Sequence, residues 1–135
     1  MAHEALVHVI DDLFGSADEL VDAVTADGWP APMVREGFRL HRRTWDVETI
    51  AAQLDRELEA VDRGDARISA PDRIVHIWPR LPGAGLTPVL YGALLGASQS
   101  IRPSSEAGHF AEFLAEIWNK KGSLPDLEIL DPGDD

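Results

Sequence analysis

The residues best suited to bind a charged ligand lie in the run RPSSE at 102–106. Arg102 is expected at the end of a strand, and Ser104 and Ser105 would precede free backbone amides that open a helix. This combination suits a phosphate or a ribose hydroxyl. An acidic residue is usual there for a ribose 2′-OH, whereas an arginine tolerates a 2′-phosphate. The alternative is a surface arginine followed by an ordinary helix N-cap.

A second stretch, GAGLTP at 83–88, combines two glycines with a predicted strand-to-helix turn. It matches the first part of the dinucleotide-binding pattern G-x-G-x-x-G, but Pro88 stands where the third glycine should be. An incomplete match of this kind is weak. The stretch by itself favours a turn whose glycines serve the backbone.

The histidines and serines do not form a recognisable catalytic or metal site. His76 alternates with apolar neighbours in a predicted strand, which favours a packed or edge histidine. His109 lies three residues from both Glu106 and Glu112, but two ligands at helical spacing do not make a metal site. The chain has no cysteine, which removes disulfides, thiolate metal sites and a cysteine nucleophile. We therefore predict no catalytic residue and no metal.

The charge balance narrows the classes of partner. With 24 acidic and 12 basic residues the chain carries a net charge of −12, which argues against nucleic acid or an anionic membrane. A basic run at 35–43 could bind an acidic partner, although such a run is more often a solvated helix face. The N-terminus lacks the features of a signal peptide, and no segment approaches the roughly 20 apolar residues of a membrane span. We expect a soluble, cytoplasmic protein.

Strands and helices that alternate along residues 70–135 must position the polar runs. Short apolar or β-branched runs predict strands, and longer amphipathic or apolar runs predict helices. The predicted order is strand RIVHIW (73–78), helix 87–96, strand SQSIR (98–102), helix 106–121 and strand DLEIL (126–130). Such a β-α-β-α-β order predicts three parallel strands and brings residues 77–83 and 102–106 to one sheet edge. Ligands bind at that edge in open α/β sheets.

The preceding residues, 1–69, predict a helical segment. Four helices are expected. The first covers residues 4–13, and the second begins at a capping box formed by Ser16 and Glu19. The third covers residues 32–43, and the fourth runs from an N-cap at Asp46 to a stop at Gly64. The apolar faces should be Met33, Val34, Gly37, Phe38 and Leu40 in the third helix, and Val47, Ile50, Ala51, Leu54, Leu58 and Val61 in the fourth. The fold class is therefore α/β, with N-terminal helices followed by a partial Rossmann-like parallel sheet in one compact domain.

The segment HIWPRLPGAGLTPVLYGALLGASQSIRPSSE resembles the cofactor-domain core of the aldehyde dehydrogenase superfamily. In that family a strand leads into a proline-rich loop with an asparagine, an apolar helix ends in Gly-Asn, and a strand ends in Lys-Pro-Ser-Glu. The nearest branch is that of the acyl-CoA reductases that supply aldehyde for bacterial bioluminescence, whose loop is similar to residues 80–83 here. The resemblance covers about residues 70–130.

The resemblance implies an NAD(P) cofactor and the residues that would contact it. Ile77 and Trp78 would line the nicotinamide side through their backbone atoms. Arg102 would take the place of the lysine that reaches the adenosine ribose, with NADP at least tolerated. Ser105 or Glu106 would replace the neighbouring glutamate. Acyl-CoA or aldehyde would be the substrate of the intact enzyme.

Three departures from the family pattern qualify this implication. Arg80 stands where the loop asparagine helps to hold the oxyanion, Ala97 replaces the asparagine of Gly-Asn, and Arg102 replaces lysine. The nucleophilic cysteine of the family belongs to a second domain, and reduction through a thiohemiacetal needs that thiolate. The chain is therefore expected to form a cofactor platform that is not catalytic by itself.

An interaction module is the alternative from another functional class. The third predicted strand, 126–130, would lie at the edge of the sheet, and such an edge can pair with a partner chain or a second copy. A three-stranded sheet is also small for a doubly wound fold, so the sequence equally suits the front part of a longer protein.

Overall fold

The computed structural model describes residues 2–64, 69, 71–120 and 122–131 of the chain. The first half of the described chain is helical, with α1 (Ala2–Gly15), α2 (Ala17–Ala26), α3 (Ala31–His41), a 3-10 turn (Arg42–Trp45), α4 (Val47–Glu57) and α5 (Glu59–Asp62). The second half alternates, with β1 (Arg73–Ile77), α6 (Leu86–Leu94), β2 (Ser98–Arg102), α7 (Gly108–Lys120) and β3 (Leu127–Ile129). The predicted α/β class is confirmed, and the second half shows the predicted alternation of three strands and two helices. The described part of the helical half contains five helices and a 3-10 turn where four helices were predicted. Parts of the predicted connector at 64–72, the end of the helix at 121 and the tail at 132–135 lie outside the described residues.

The three strands form one parallel sheet in the order β1-β2-β3. Ile77 of β1 lies opposite Arg102 of β2, so the chain leaves both strands at the same edge. This confirms that residues 77–83 and 102–106 share the carboxyl edge of the sheet. Parallel pairing requires long crossover connections, which α6 and α7 supply.

The two faces of the sheet differ in what covers them. On one face Gln99 is fully buried beneath α6, where its side-chain amide donates to the Val89 carbonyl at 3.0 Å. His76 lies on the same face, with its Nε2 2.6 Å from Gln99 Oε1, so it is packed as expected. On the other face, Val75 and Ile77 are 56% and 80% exposed. Parallel sheets are usually covered on both faces, but no described helix covers this one, which we call the open face.

Aromatic side chains join the helical half to the strand half in one core. Phe38 of α3 contacts both Trp45 and Phe110, with ring centroids 5.7 and 5.6 Å apart. Phe110 of α7 in turn stacks on Trp78, which follows β1, at 5.5 Å. The change in composition near residue 70 is therefore not a boundary in the packing.

Several details of the predicted helices differ from the structure. Ser16 makes no capping hydrogen bond, whereas Asp46 accepts one from the Thr49 amide at 3.2 Å, as its N-cap position predicts. Met33 and Leu40 of the predicted α3 face are exposed. The predicted fourth helix from Asp46 to Gly64 is interrupted at Leu58, which separates α4 from α5. Its predicted stripe is buried only at Val47 and Ile50, with Ala51, Leu54, Leu58 and Val61 half-buried. Apolar spacing defines the inward face of a helix but not how far its neighbours extend along it.

Candidate ligand site at the carboxyl edge of the sheet

The loops that follow β1 and β2 are bridged by an ion pair between two of the predicted site residues. The Arg80 guanidinium donates to both carboxylate oxygens of Glu106, at 2.9 and 2.6 Å. The Glu106 carbonyl also accepts a hydrogen bond from Trp29 Nε1 at 3.3 Å. The bidentate geometry fixes the relative position of the two loops. Because Glu106 is engaged in this way, it is a weaker candidate for a ribose hydroxyl than the sequence indicates.

The other predicted residues at this edge do not all converge. Arg102 is exposed and forms no ion pair with any described residue. Ile77 lies opposite it on the open face, while the buried Trp78 faces the core. The Trp78 amide donates to the Arg102 carbonyl at 3.0 Å, so this backbone group belongs to the strand ladder. The side chains of Ile77 and Trp78 point to opposite sides of the strand, so one ligand could not contact both of them. Only backbone atoms that the sheet does not use could make the predicted contacts.

The serines after β2 differ in their surroundings. Ser105 is exposed, whereas the hydroxyl of Ser104 is buried and has no hydrogen-bond partner among the described residues. A buried hydroxyl normally finds a partner. Ser104 therefore has an unmet hydrogen-bonding capacity two residues from Arg102. The buried indole Nε1 of Trp78, another predicted site residue, likewise has no partner among the described residues.

The start of α7 is already occupied by a carboxylate, so the expectation of free amides there is wrong. Asp27, at the end of α2, accepts hydrogen bonds from the amides of His109 at 2.9 Å and Phe110 at 3.0 Å. Its side chain is only 1% exposed and also contacts His109 Nδ1 at 2.8 Å. A buried acidic group at a helix N-terminus satisfies the unpaired amides and complements the helix dipole. A phosphate could not use the same two amides while Asp27 holds them.

Both glycines of the loop before α6 are required by close packing. Gly83 has a φ of 79°, and a Cβ atom there would lie 3.0 Å from the Trp45 ring. A Cβ atom at Gly85 would overlap the indole of Trp78. This agrees with the interpretation that the glycines of GAGLTP serve the backbone and the core. Pro88 lies in the first turn of α6, as predicted.

An apolar cavity of about 370 Å³ opens beside the same loop, and the sequence did not predict it. It lies between α3, the 3-10 turn and the residues that follow Arg80. Such a volume falls in the range of about 300–1,000 Å³ that is typical of small-molecule sites. The lining is mostly apolar and consists of Trp29, Met33, Val34, Gly37, Phe38, His41, Thr44, Trp45, Leu81, Pro82, Gly83, Ala84 and Thr87.

The polar groups of the cavity are few and partly satisfied. The hydroxyl of Thr44 donates to the His41 carbonyl at 2.6 Å. His41 and Thr87 are the other polar side chains of the lining. The arrangement can therefore bind an apolar chain and offers few partners for a polar one. A glycine within the apolar face of a helix, between Trp29 and Trp45, was the feature of the sequence that could have indicated a cavity.

The basic run of α3 and the 3-10 turn is largely neutralised by neighbouring acids. Arg35 pairs with Asp18 at 3.2 Å and Arg42 with Asp11 at 3.7 Å. Arg39 pairs with Glu36 at 2.7 Å, and this hydrogen bond lowers the pKa of the Glu36 carboxyl. The solvated-face interpretation of residues 35–43 is therefore favoured over an acidic partner.

Two classes of site are absent from the part of the chain that the structure describes. No three His, Asp or Glu side chains there are grouped so that they could hold a metal ion, and His109 contacts Asp27 instead of Glu106 or Glu112. None of the helices in the same residues combines the length and the apolar character needed to cross a membrane.

The comparisons with known proteins identified no family model, no curated protein and no solved structure that matches this chain. The resemblance to aldehyde dehydrogenases therefore rests on the sequence pattern alone.

Proposed function

We propose that this chain is the cofactor- and acyl-binding portion of an NAD(P)-dependent acyl-CoA reductase or aldehyde dehydrogenase-like oxidoreductase, built on a partial Rossmann-like unit. The observation that carries the proposal is the apolar cavity of about 370 Å³ at the carboxyl edge of the parallel sheet. It is lined by residues 81–84 of the loop after β1, in which the sequence resembles that family. Trp29, which also lines it, donates a hydrogen bond to the Glu106 carbonyl in the loop after β2. A substrate with an aliphatic chain and a reactive carbonyl needs both an apolar and a polar surface close together.

On the cofactor side, Arg102 is the residue most available to a nucleotide, because it is exposed and has no ion-pair partner among the described residues. The hydroxyl of Ser104 also has no hydrogen-bond partner there, but it is buried, so a ligand could reach it only if the loop moved. Arg102 fits a ribose or its 2′-phosphate, whereas the amides of His109 and Phe110 do not, because Asp27 occupies them. When bound, the reduced nucleotide would supply the hydride. The fit favours NADPH over NADH, since Arg102 adds a positive charge where a 2′-phosphate would lie.

On the substrate side, the cavity would hold the aliphatic chain of an acyl group or aldehyde. Burial of each methylene contributes about 0.8 kcal/mol to binding. Arg80 directly precedes the lining residue Leu81 and, by the resemblance, stands in place of the asparagine of the family. Its guanidinium is bound to both carboxylate oxygens of Glu106, so it would have to release one of these bonds to donate to a substrate carbonyl.

The chemical step itself needs a group that these residues do not supply. The 135 residues contain no cysteine, so the thiolate that forms a thiohemiacetal would have to come from outside this sequence. The proposal therefore assigns binding and orientation to this chain. It also implies a cytoplasmic location, where nucleotide and acyl thioester would be available.

Calorimetric titration of the folded chain with NADPH and with NADH tests the cofactor side. We expect NADPH to bind, and Arg102→Ala to weaken it about tenfold or more, because a charge-assisted hydrogen bond contributes about 1.5–3 kcal/mol. Arg56→Ala, at an exposed position of α4, is the matched control and should leave the affinity unchanged. No binding by either nucleotide would reject the cofactor platform. Equal binding by wild type and Arg102→Ala would reject the assignment of Arg102.

Tryptophan fluorescence during titration with decanal tests the substrate side. Trp29 and Trp45 both line the cavity, so a chain that enters it should change their emission. A saturable change supports the proposal, and a strictly linear response up to the solubility limit contradicts it.

The open face of the sheet favours a second candidate function, assembly with a second copy of the chain. Besides Val75 and Ile77, this face carries Arg73 in β1, whose guanidinium contacts Glu128 of β3 at 3.3 Å. A twofold axis parallel to the strands would lay β1 of one copy over β3 of the other. Arg73 would then approach Glu128 of the second copy, which makes the face self-complementary in charge.

The strand-edge route to such assembly is partly blocked. The side-chain amide of Asn119 donates to the Leu127 carbonyl at 2.8 Å and accepts from the Leu127 amide at 3.2 Å. Pairing through 126–130 would have to displace these bonds, so the open face is the better surface. Light scattering after gel filtration tests it: we expect a dimer that Ile77→Asp converts to a monomer, and a wild-type monomer at high concentration would reject this candidate.

A further inference from the structure

Gly37 occupies the centre of the α3 surface that lines the apolar cavity. Met33, Val34 and His41 of the same helix also line the cavity, at positions four before, three before and four after the glycine. Residues at these spacings share one face of an α-helix. A side chain at position 37 would therefore project toward the cavity.

Neither backbone conformation nor packing requires a glycine at this position. Gly37 lies inside a regular helix without a positive φ, and a Cβ atom built there would meet no other atom within 4 Å. Glycine is a poor residue for a helix interior, so its presence lowers the stability of α3. The two loop glycines nearby are different, because a Cβ at Gly83 would press on Trp45 and one at Gly85 would overlap Trp78. What Gly37 provides is unfilled space beside the cavity.

We infer that Gly37 sets the length of the aliphatic chain that the cavity accepts. This inference rests on the proposed acyl-binding function and deepens it by naming a determinant of chain length. A larger side chain at position 37 should fill the part of the cavity that the end of a long chain would occupy. Short chains, which do not reach that part, should be affected much less.

The affinity change follows from the number of methylenes excluded. Each methylene kept out of the cavity should lower the affinity roughly fourfold. Gly37→Ala adds one carbon and should weaken a long chain about fourfold, whereas Gly37→Leu adds four and should weaken it at least tenfold. Ala and Leu are both better helix formers than Gly, so the variants should unfold at the same temperature as wild type or higher.

The test is a fluorescence titration of wild type and both variants with 1-hexanol and 1-dodecanol, which form no adducts with lysine. Trp29 and Trp45 report binding because they line the cavity. Gly15→Leu is the control, since a Cβ atom at Gly15, the last residue of α1, would also meet open space but Gly15 does not line the cavity. We expect 1-dodecanol to bind wild type and Gly15→Leu equally and to weaken in the order Ala, then Leu, at position 37.

The possible failures can be told apart. If wild type binds neither alcohol, the acyl-binding proposal falls and the role of Gly37 falls with it. If wild type binds 1-dodecanol and Gly37→Leu binds it equally well, only the role of Gly37 is overturned. Should Gly37→Leu fail to fold, the smaller Gly37→Ala change decides the question by the same comparison.

Discussion

Asp27→Ala should destabilise the protein more than either Asp22→Ala or Asp46→Asn. The Asp27 carboxylate is 1% exposed and joins the end of α2 to the start of α7. It accepts hydrogen bonds from the amides of His109 and Phe110 and contacts the imidazole of His109. Alanine would leave both amides without that acceptor at a helix end that packs into the core.

The size of the effect can be built from these contacts. Loss of a helix N-cap costs about 0.5–2 kcal/mol, and the burial of Asp27 argues for the upper part of that range. The contact with His109 adds about 0–1 kcal/mol, because its side chain is 60% exposed and water screens the pair. The free energy of unfolding should therefore fall by about 2–3 kcal/mol. For a chain of this size, this corresponds to a decrease in Tm of roughly 6–15 °C.

Urea denaturation followed by circular dichroism and tryptophan fluorescence measures this change. Asp27→Asn should be intermediate, because His109 and Phe110 donate to different carboxylate oxygens and asparagine replaces one of these oxygens with an NH₂ donor. Asp22→Ala is the matched control, since Asp22 lies on the same helix with an exposed side chain. It should change the stability by less than about 0.5 kcal/mol. If Asp27→Ala is no more destabilising than Asp22→Ala, the carboxylate does not hold α7 in the way argued above.

Two further predictions concern an edge strand and a helix cap. Asn119→Ala should free the outward amide and carbonyl of Leu127 for pairing, so self-association measured by light scattering should rise. Lys120→Ala is the control and should leave self-association unchanged. Equal behaviour of both variants would contradict the idea that Asn119 protects the edge of β3. The pKa of Asp46 lies below its ordinary value, chiefly because Thr49 donates a side-chain hydrogen bond to it. Its cap should therefore contribute stability at neutral pH and lose it as the pH falls through that lowered pKa. The Tm advantage of wild type over Asp46→Asn should then be constant above about pH 5 and shrink as the pH falls from there toward about pH 2. A difference that stays constant over the acidic range would refute the titration of this cap.

Local patterns predicted the strand half of the chain well. The alternation in RIVHIW and the apolar character of residues 87–96 are properties of neighbouring residues, and β1 and α6 lie where those patterns placed them. The shared carboxyl edge followed from the handedness and length of β-α-β connections. The N-cap at Asp46 was equally local, as its side chain reaches an amide only three residues away.

The features that the sequence did not reveal depend on distant residues. Asp27 and His109 are 82 positions apart, and nothing near either of them indicates the contact. At Ser16 the capping-box spacing was present, but the side chain makes no such bond. The cavity was missed for the same reason, since a helix face shows its apolar residues in the sequence but not the loop that packs opposite. Arg80 and Glu106 were predicted separately, and only the fold shows that they bind each other.

The aromatic core that spans both halves has a consequence for biosynthesis. The helical half leaves the ribosome first, yet Phe38 cannot reach Phe110, nor Asp27 reach His109, until most of the chain has been made. At a translation rate of about 5–20 residues per second, the apolar faces of the first helices would wait several seconds for their partners. During that interval the nascent chain should offer an exposed hydrophobic surface to chaperones and proteases. Synonymous codons that slow translation just after residue 70 should therefore lower the yield of folded protein, while the same codons near the C-terminus should have little effect.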